Sequence, residues 1–286
     1  MSFLNQITHL VKDPPPSHLF ELSEAGIAFA HAGQAIFQPI EAGTLVASPV
    51  ADNLLRGDAV SSMIERLAPM NGPKKRRPAA VILPDYAARV TVLDFDSFPS
   101  SADEQLSLVR FRVKKTIPFD IDSAAVSYYV QPTSVSKKIE VVAVTVALEV
   151  IARYEALFRN TGFQPGVITT SSLAALNLYR GDGIVVFAKL SGHVLSVAVI
   201  AGSTIKLFRC VVLEEASEEE ILAILHPTFA YVEDELASPA RKLILCGFPH
   251  GAPDSLHCEQ EPLRSRFGSP GAFNAGLLGY MELVEG

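Results

Sequence analysis

Side chains that could act as acids, bases, nucleophiles or metal ligands are spread along the chain without the spacing of a known catalytic motif. The histidines form no HxxH or HExxH pair, and neither a Gly-x-Ser-x-Gly elbow nor a Walker phosphate loop occurs. The three cysteines lack CxxC spacing, which fits a reducing compartment and predicts no zinc site. Two aspartate pairs remain, Asp94 with Asp96 and Asp120 with Asp122. We favour a structural role over a cation site, and expect the second pair to shape the corner after Pro118.

Composition excludes several classes of protein. The chain has 286 residues, 49% of them hydrophobic, which is enough to bury a large core. No apolar run approaches the ~20 residues of a membrane-spanning helix. A net charge of -7 argues against a general nucleic-acid binder. The basic run Lys74–Arg77 is interpreted as a solvated loop, and contact with nucleic acid or acidic headgroups is the alternative.

The N-terminal residues lack the pattern of a signal peptide, which is a charged region followed by an apolar run and a small-residue cleavage site. Apolar side chains at helical spacing in residues 1–12 predict a short amphipathic helix, which Pro14–Pro16 ends. Packing of this helix on its own domain is favoured over membrane contact, since a membrane helix usually carries more Lys and Arg.

Hydrophobic periodicity places the motifs on an alternation of strands and helices. Helices are predicted over residues 51–67, 218–236 and 272–281. A further helix begins after Ser101, where Glu104 is expected to complete a capping box. Glutamates over residues 214–220 are interpreted as a solvated helix N-terminus.

Two parts of the chain repeat one pattern. Strands at residues 19–22, 27–31 and 35–40 are separated by short turns, and strands at 184–190, 195–201 and 204–212 repeat the arrangement. This internal echo predicts a duplicated α/β fold.

The segment Leu106–Asp122, which reads LSLVRFRVKKTIPFDID, resembles the signature of the PilM family of type IV pilus assembly proteins. The order of the surrounding segments agrees, with Val81–Pro84 and Phe95–Pro99 before it and Asn160–Pro165 after it. The resemblance is good over about residues 79–179. It implies an α/β, duplicated actin-like (ribonuclease H-like) fold, close to that of FtsA and of the cytoplasmic part of GspL.

The resemblance also implies a domain plan and a partner. Residues 1–85 and 148–180 would form the first actin-like half, residues 86–147 an inserted small α+β subdomain, and residues 181–286 a reduced second half. The family grips the N-terminal cytoplasmic tail of a bitopic membrane protein, PilN, from the cytoplasmic side of the inner membrane. We expect the tail to dock between the insert and the first half, and Val109 and Phe111 are candidate contacts. Self-association is a second interaction left open.

In the actin-like fold, ATP lies between two hairpins that each carry Asp-Ile-Gly, because glycine lets backbone N–H groups approach phosphate and the acid orients magnesium. At the first hairpin the matching residues are Glu21, Leu22 and Ser23, so the acid is longer and the glycine is lost. Ala28 stands where a lysine is usual.

The second hairpin and the nucleoside loop depart from the family pattern as well. Lys189 replaces the acid and would repel magnesium, and Ser191 stands at the glycine position. In the nucleoside loop Gly247 is kept, but Phe248 replaces a second glycine. The family's subdomain between second hairpin and nucleoside strand is reduced to one helix. We therefore predict a non-catalytic scaffold without cofactor or metal. The alternative is an ATP-binding assembly ATPase with divergent phosphate loops; a filament-forming protein is less favoured.

Overall fold

The computed structural model describes residues 15–70, 76–132, 138–240, 242–251, 253, 256 and 258–285. The chain divides into two compact units, one containing residues 89–145 and 180–263 and the other residues 2–88, 146–179 and 264–286. The predicted N-terminal helix lies outside the described residues, and the four predicted domain limits remain predictions. No helix of the described residues is long and apolar enough to cross a membrane.

Strands and helices alternate along the chain. The strands are β1 (His18–Leu22), β2 (Gly26–His31), β3 (Gln34–Pro39), β4 (Arg77–Leu83), β5 (Arg89–Phe95), β6 (Ala124–Val130), β7 (Ile139–Ala147), β8 (Phe163–Thr170), β9 (Ile184–Ser191), β10 (Val194–Ala201), β11 (Thr204–Val212), β12 (Lys242–Cys246) and β13 (Glu259–Pro262). The helices are α1 (Gly57–Leu67), α2 (Ala102–Val113), α3 (Leu148–Asn160), α4 (Ser171–Ala175), α5 (Glu218–Leu236) and α6 (Ala275–Val284).

The two large sheets have the same topology. The first runs β3-β2-β1-β4-β8 and the second β11-β10-β9-β12-β13. In each, a meander of antiparallel strands leads into two parallel strands. The predicted duplication is therefore confirmed for the three-strand meander of each half, and the structure extends it to the two parallel strands that follow.

Helix α6 packs tightly on one face of the first sheet. It forms a core with β1, β2 and β4 through residues such as Leu19, Ala28, Ile82 and Met281. A Cβ at Gly279 would lie 2.1 Å from the carbonyl oxygen of Ala174 in α4, so only glycine allows this approach. The opposite face carries an aromatic cluster that includes Phe20, Phe158 and Phe163.

A three-stranded sheet, β5-β7-β6, carries α2 on a core of its own. It is joined to β11 of the second sheet, since β5 contacts β11 within one unit. The side chain of Gln131 donates to the Ile205 carbonyl (2.8 Å) and accepts from the Ile205 N–H (2.6 Å), as a neighbouring strand would. Lys206 and Glu140, both largely buried, form an ion pair of 2.6 Å beside it.

Two predicted helix starts are wrong. Residues 51–56 form a loop rather than the first turns of α1, because Asp52 and Asn53 bond backbone N–H groups at Leu54 and Ser48. The last helix begins at Ala275 rather than at residue 272, and it ends at Val284.

The helix caps differ from the predicted ones. Ser101 stands at the N-cap of α2 but its side chain makes no capping bond. The capping box of the structure is at α5, where Ser217 and Glu220 bond reciprocally, and Glu220 also accepts from the N–H groups of Glu214 and Glu215. The acidic run at residues 214–220 thus closes a turn as well as facing the helix N-terminus.

Candidate functional site

The first phosphate hairpin places Glu21 deep in its unit. Glu21 is 1% exposed on β1. Its carboxylate accepts the hydroxyl of Ser171, the first residue of α4, and the N–H of Leu277 at 2.7 Å. Leu277 is the third residue of α6, so the carboxylate satisfies one of the free N–H groups at that helix N-terminus and lies at its positive end. The acid that the family pattern assigns to magnesium is used here to fix α6.

A second buried acid supports the same corner. Asp85 is 6% exposed and accepts the N–H and the hydroxyl of Ser172, both at 2.6 Å. Sequence reasoning singled out neither Asp85 nor the serine pair as partners. The adjacent serines 171 and 172, opposite two buried acids on β1 and after β4, were the available signal.

The turn of the first hairpin is closed by its own residues. The Ser23 hydroxyl donates to the Gly26 carbonyl (2.8 Å) and accepts the Gly26 N–H (3.1 Å). This backbone N–H is therefore already bonded, whereas a phosphate loop needs such groups directed at the ligand. Gly26 is required for packing, because a Cβ there would lie 2.6 Å from the Phe37 ring.

The second hairpin places Lys189 in the interior of its unit. Lys189 is 1% exposed on β9, and its ammonium donates to the Ser191 hydroxyl. Gly192 has φ +59° with open space around its Cβ direction, so its freedom serves the turn. A buried lysine therefore stands where the family pattern has an acid.

The nucleoside loop follows directly beside Lys189. Cys246, the last residue of β12, is in register with Lys189 on β9, so Gly247 begins the loop at that strand end. Gly247 adopts φ +77°. Phe248 is partly buried and packs against the core cluster of the second sheet, whose members include Leu243, Leu245 and Leu256. The second-glycine position of the nucleoside loop is thus occupied by a ring that packs at the edge of this core.

No group of three or more His, Cys, Asp or Glu side chains that could hold a metal ion occurs among the described residues. Asp120 caps the short turn after Pro118, since its carboxylate accepts the Asp122 N–H at 3.0 Å, as the sequence predicts. Asp94 bonds Lys138, and this hydrogen bond holds the pKa of Asp94 below its usual value. Both aspartate pairs thus contain a residue with a structural partner.

Helix α2 presents one large apolar side chain to solvent. Phe111 is 68% exposed, whereas Val109 is fully buried in the core of the three-stranded sheet. Of the two candidate contacts, Val109 has a packing role and Phe111 is accessible. Basic side chains at Arg112, Lys114 and Lys115 follow it on the chain.

Comparison with solved structures identifies the fold. The PilM-PilN type IV pilus biogenesis complex matches with a TM-score of 0.69 at 14% identity, over 96% of this chain and 100% of that chain. The cytoplasmic domain of EpsL, an inner-membrane component of the type II secretion system of Vibrio cholerae, matches with 0.57 at 15% identity over 94% of each chain.

A protein of Bacteroides thetaiotaomicron with an actin-like ATPase fold and unknown function matches with a TM-score of 0.51 at 11% identity, over 84% of each chain. No protein-family model and no curated protein sequence matches the chain. The predicted actin-like fold, and the resemblance in fold to PilM and to the GspL-type cytoplasmic domain, are confirmed.

Proposed function

We propose that the chain is a non-catalytic scaffold of a type IV pilus or related secretion assembly, which binds the N-terminal cytoplasmic tail of a PilN-like inner-membrane protein. The observation that carries this proposal is the fold shared with PilM of the PilM-PilN complex over nearly the whole of both chains. In this function the protein is cytoplasmic and reaches the inner membrane through its partner.

The bonding of the phosphate-hairpin residues supports the non-catalytic part of the proposal. Glu21 bonds α6, and the Ser23 hydroxyl fills the turn that would face phosphate. Lys189, a buried lysine without carboxylate oxygens, occupies the position of the second acid. Phe248 is engaged in the core. Magnesium binding needs oxygen ligands free to coordinate it, and phosphate binding needs free N–H groups.

The reduced second half supports the same view. Between β11 and β12 the described chain contains a single helix, α5. In the family pattern a subdomain stands there and forms one wall of the nucleotide cleft. A site without that wall is open to water, where positioned charges stabilise phosphate weakly.

We propose Phe111 as an anchor for the partner tail. An exposed phenylalanine on a rigid helix is a suitable hot-spot residue, because aromatic side chains bury a large area at a low cost in entropy. The two buried residues of α2, Val109 and Val113, pack in the core of the three-stranded sheet and hold the helix in place. Truncation of Phe111 should therefore weaken binding without unfolding the subdomain.

The test is a titration of the full chain with a labelled peptide that spans the N-terminal cytoplasmic segment of the PilN-like protein of the same organism. We expect saturable binding at micromolar concentrations or tighter. Phe111→Ala should raise Kd by roughly tenfold to thirtyfold, from a hot-spot loss of about 1.5–2 kcal/mol. Val212→Ala is the matched control, since Val212 is an exposed apolar residue on β11 (52%), outside the insert and the first half, and should leave Kd unchanged.

Failure of every such tail peptide to bind would refute the partner. Equal binding by wild type and Phe111→Ala would refute only the anchor. Calorimetric titration with Mg-ATP addresses the alternative function: heat with a one-to-one stoichiometry would replace the scaffold with an ATP-binding assembly protein.

A further inference from the structure

Strand β3 forms an outer edge of the first sheet, and in the described part of the chain no strand lies beyond it. Five of its six residues are exposed, including Ile36 (53%) and Phe37 (42%). None of the six carries a charge. Proteins usually protect such an edge with charged side chains, bulges or a covering element, because its open N–H and C=O groups accept another strand.

The duplicated fold provides an internal comparison. Strand β11 occupies the equivalent edge of the second sheet, and it carries Lys206 and Arg209. This edge is covered, because Gln131 bonds both backbone groups of Ile205 and Glu140 pairs with Lys206. Of these two equivalent edges, the β11 edge is charged and covered, whereas the β3 edge is uncharged and has no covering element among the described residues.

The hairpin geometry determines which backbone groups of β3 point outward. Ala32 and Gly33 have φ of +50° and +77° and form a two-residue turn of the hairpin type, which His31 and Gln34 close. Hydrogen-bonded pairs alternate from that closing pair, so Gln34, Ile36 and Gln38 bond to β2. The N–H and C=O groups of Ala35 and Phe37 therefore face outward.

We propose that β3 pairs antiparallel with β3 of a second copy of this chain, across a two-fold axis centred on Ile36. This axis places Ile36 opposite Ile36 of the second copy, so the numbers of any two opposed residues sum to 72. Opposed side chains then lie on the same face of the joined sheet. Gln34 then lies opposite Gln38 of the second copy, and the small Ala35 lies opposite the large Phe37.

This segment is nearly palindromic, Gln-Ala-Ile-Phe-Gln, and therefore self-complementary in size, polarity and charge. The outward N–H and C=O of Ala35 exchange hydrogen bonds with those of Phe37 of the second copy. Phe37 of the first copy and Ala35 of the second exchange the same two hydrogen bonds. The two sheets thereby become one continuous sheet.

Sedimentation equilibrium of the full chain tests the proposal with a charge-reversal series. Wild type and Ile36→Thr should dimerise, since threonine keeps an uncharged, β-branched residue. Ile36→Lys and Ile36→Glu alone should raise the dissociation constant roughly tenfold or more, because like charges face each other across the axis. A mixture of the two variants should form the heterodimer.

Cross-linking tests the register. In a background where Cys210, Cys246 and Cys258 are replaced by alanine, Ile36→Cys should form an intermolecular disulfide, because the two Cβ atoms lie about 5 Å apart in a directly opposed pair. Gln38→Cys should not, since its two copies are displaced by four residues, about 13 Å. A wild-type monomer at all concentrations, or a dimer that persists in Ile36→Lys, overturns the proposal.

Discussion

Glu21 provides the sharpest test of how the first hairpin is used. Glu21→Gln keeps the size of the side chain but leaves one acceptor oxygen for two donors, the Ser171 hydroxyl and the Leu277 N–H. Loss of one buried hydrogen bond to a charged group costs about 1.5–3 kcal/mol, and part of that is the interaction with the α6 N-terminus. We expect a loss of about 2 kcal/mol.

Thermal and urea unfolding of the full chain measure this loss. For a chain of this size, 2 kcal/mol corresponds to a fall in Tm of roughly 4–8 °C. Glu21→Asp restores the acid type of the family pattern, but its shorter side chain loses reach to Leu277, so it should also be destabilised. Glu41→Gln is the control, because Glu41 forms only an exposed ion pair with Arg56 and should shift Tm by less than a degree or two.

Mg-ATP separates the structural role from a ligand role. A nucleotide that binds the folded state at 100 times its Kd stabilises it by about 2.7 kcal/mol. We expect no such rise in Tm for wild type or Glu21→Gln. A Glu21→Gln protein as stable as wild type refutes the helix-cap role, and a nucleotide-dependent rise that Glu21→Gln abolishes shows that the acid serves a ligand.

Three further outcomes follow from the packing and the pKa values. Gly279→Ala should destabilise the protein by about 3 kcal/mol or more through overpacking against α4. Gly57→Ala, whose Cβ would make an ordinary contact with Leu157 at 4.0 Å, should be neutral or slightly stabilising in urea unfolding. Gln131→Leu leaves a buried N–H and C=O of β11 unpaired, so we expect a loss of about 2 kcal/mol or more and faster hydrogen exchange in β11. Burial, and to a smaller extent the neighbouring His31 and Arg77, lower the pKa of His18 from 6.5 to about 4. Between pH 6.5 and about 4 the unfolded chain therefore binds a proton that the folded protein does not, so the free energy of unfolding should fall as the pH drops through this range. His18→Gln should flatten this part of the plot of urea midpoint against pH.

Much of the fold could be predicted because burial and periodicity coincide in this sequence. The predicted limits of α5 and β11 agree with the structure, and α5 buries Ile221, Leu225, Thr228 and Val232 at helical spacing. Strand β13 was missed because Glu259–Pro262 is polar and mostly exposed, and it pairs with β12 through the backbone and through ion pairs of Lys242 with Glu259 and Glu261 rather than through buried apolar side chains. Sequence patterns predict strands that bury side chains better than strands that only pair.

The caps show a second limit of prediction. Ser-x-x-Glu occurs at both Ser101 and Ser217, yet only the second forms a capping box. At Ser217 the preceding residue, Ala216, adopts φ +54°, which turns the chain so that several N–H groups converge on Glu220. The pattern is local, but the bonds depend on the direction from which the chain enters the helix.

The candidate site was predictable in its positions but not in its bonding. The sequence shows that Glu21 keeps an acid and that Lys189 does not, and it gives no reason for the difference. The structure supplies one, because each side chain bonds within its own unit. Glu21 meets a helix N-terminus, which favours a negative charge, while Lys189 donates a hydrogen bond to a hydroxyl oxygen.

Retention of an acid at the first hairpin is therefore weak evidence for retained metal chemistry in this fold. If magnesium were the reason for the acid, the equivalent positions of the two hairpins should both remain acidic, because the family pattern uses both. If the N-terminus of α6 is the reason, only position 21 needs an acid, and Glu serves because its carboxylate reaches Leu277. The observed pair, Glu21 with Lys189, is the combination that the second explanation predicts.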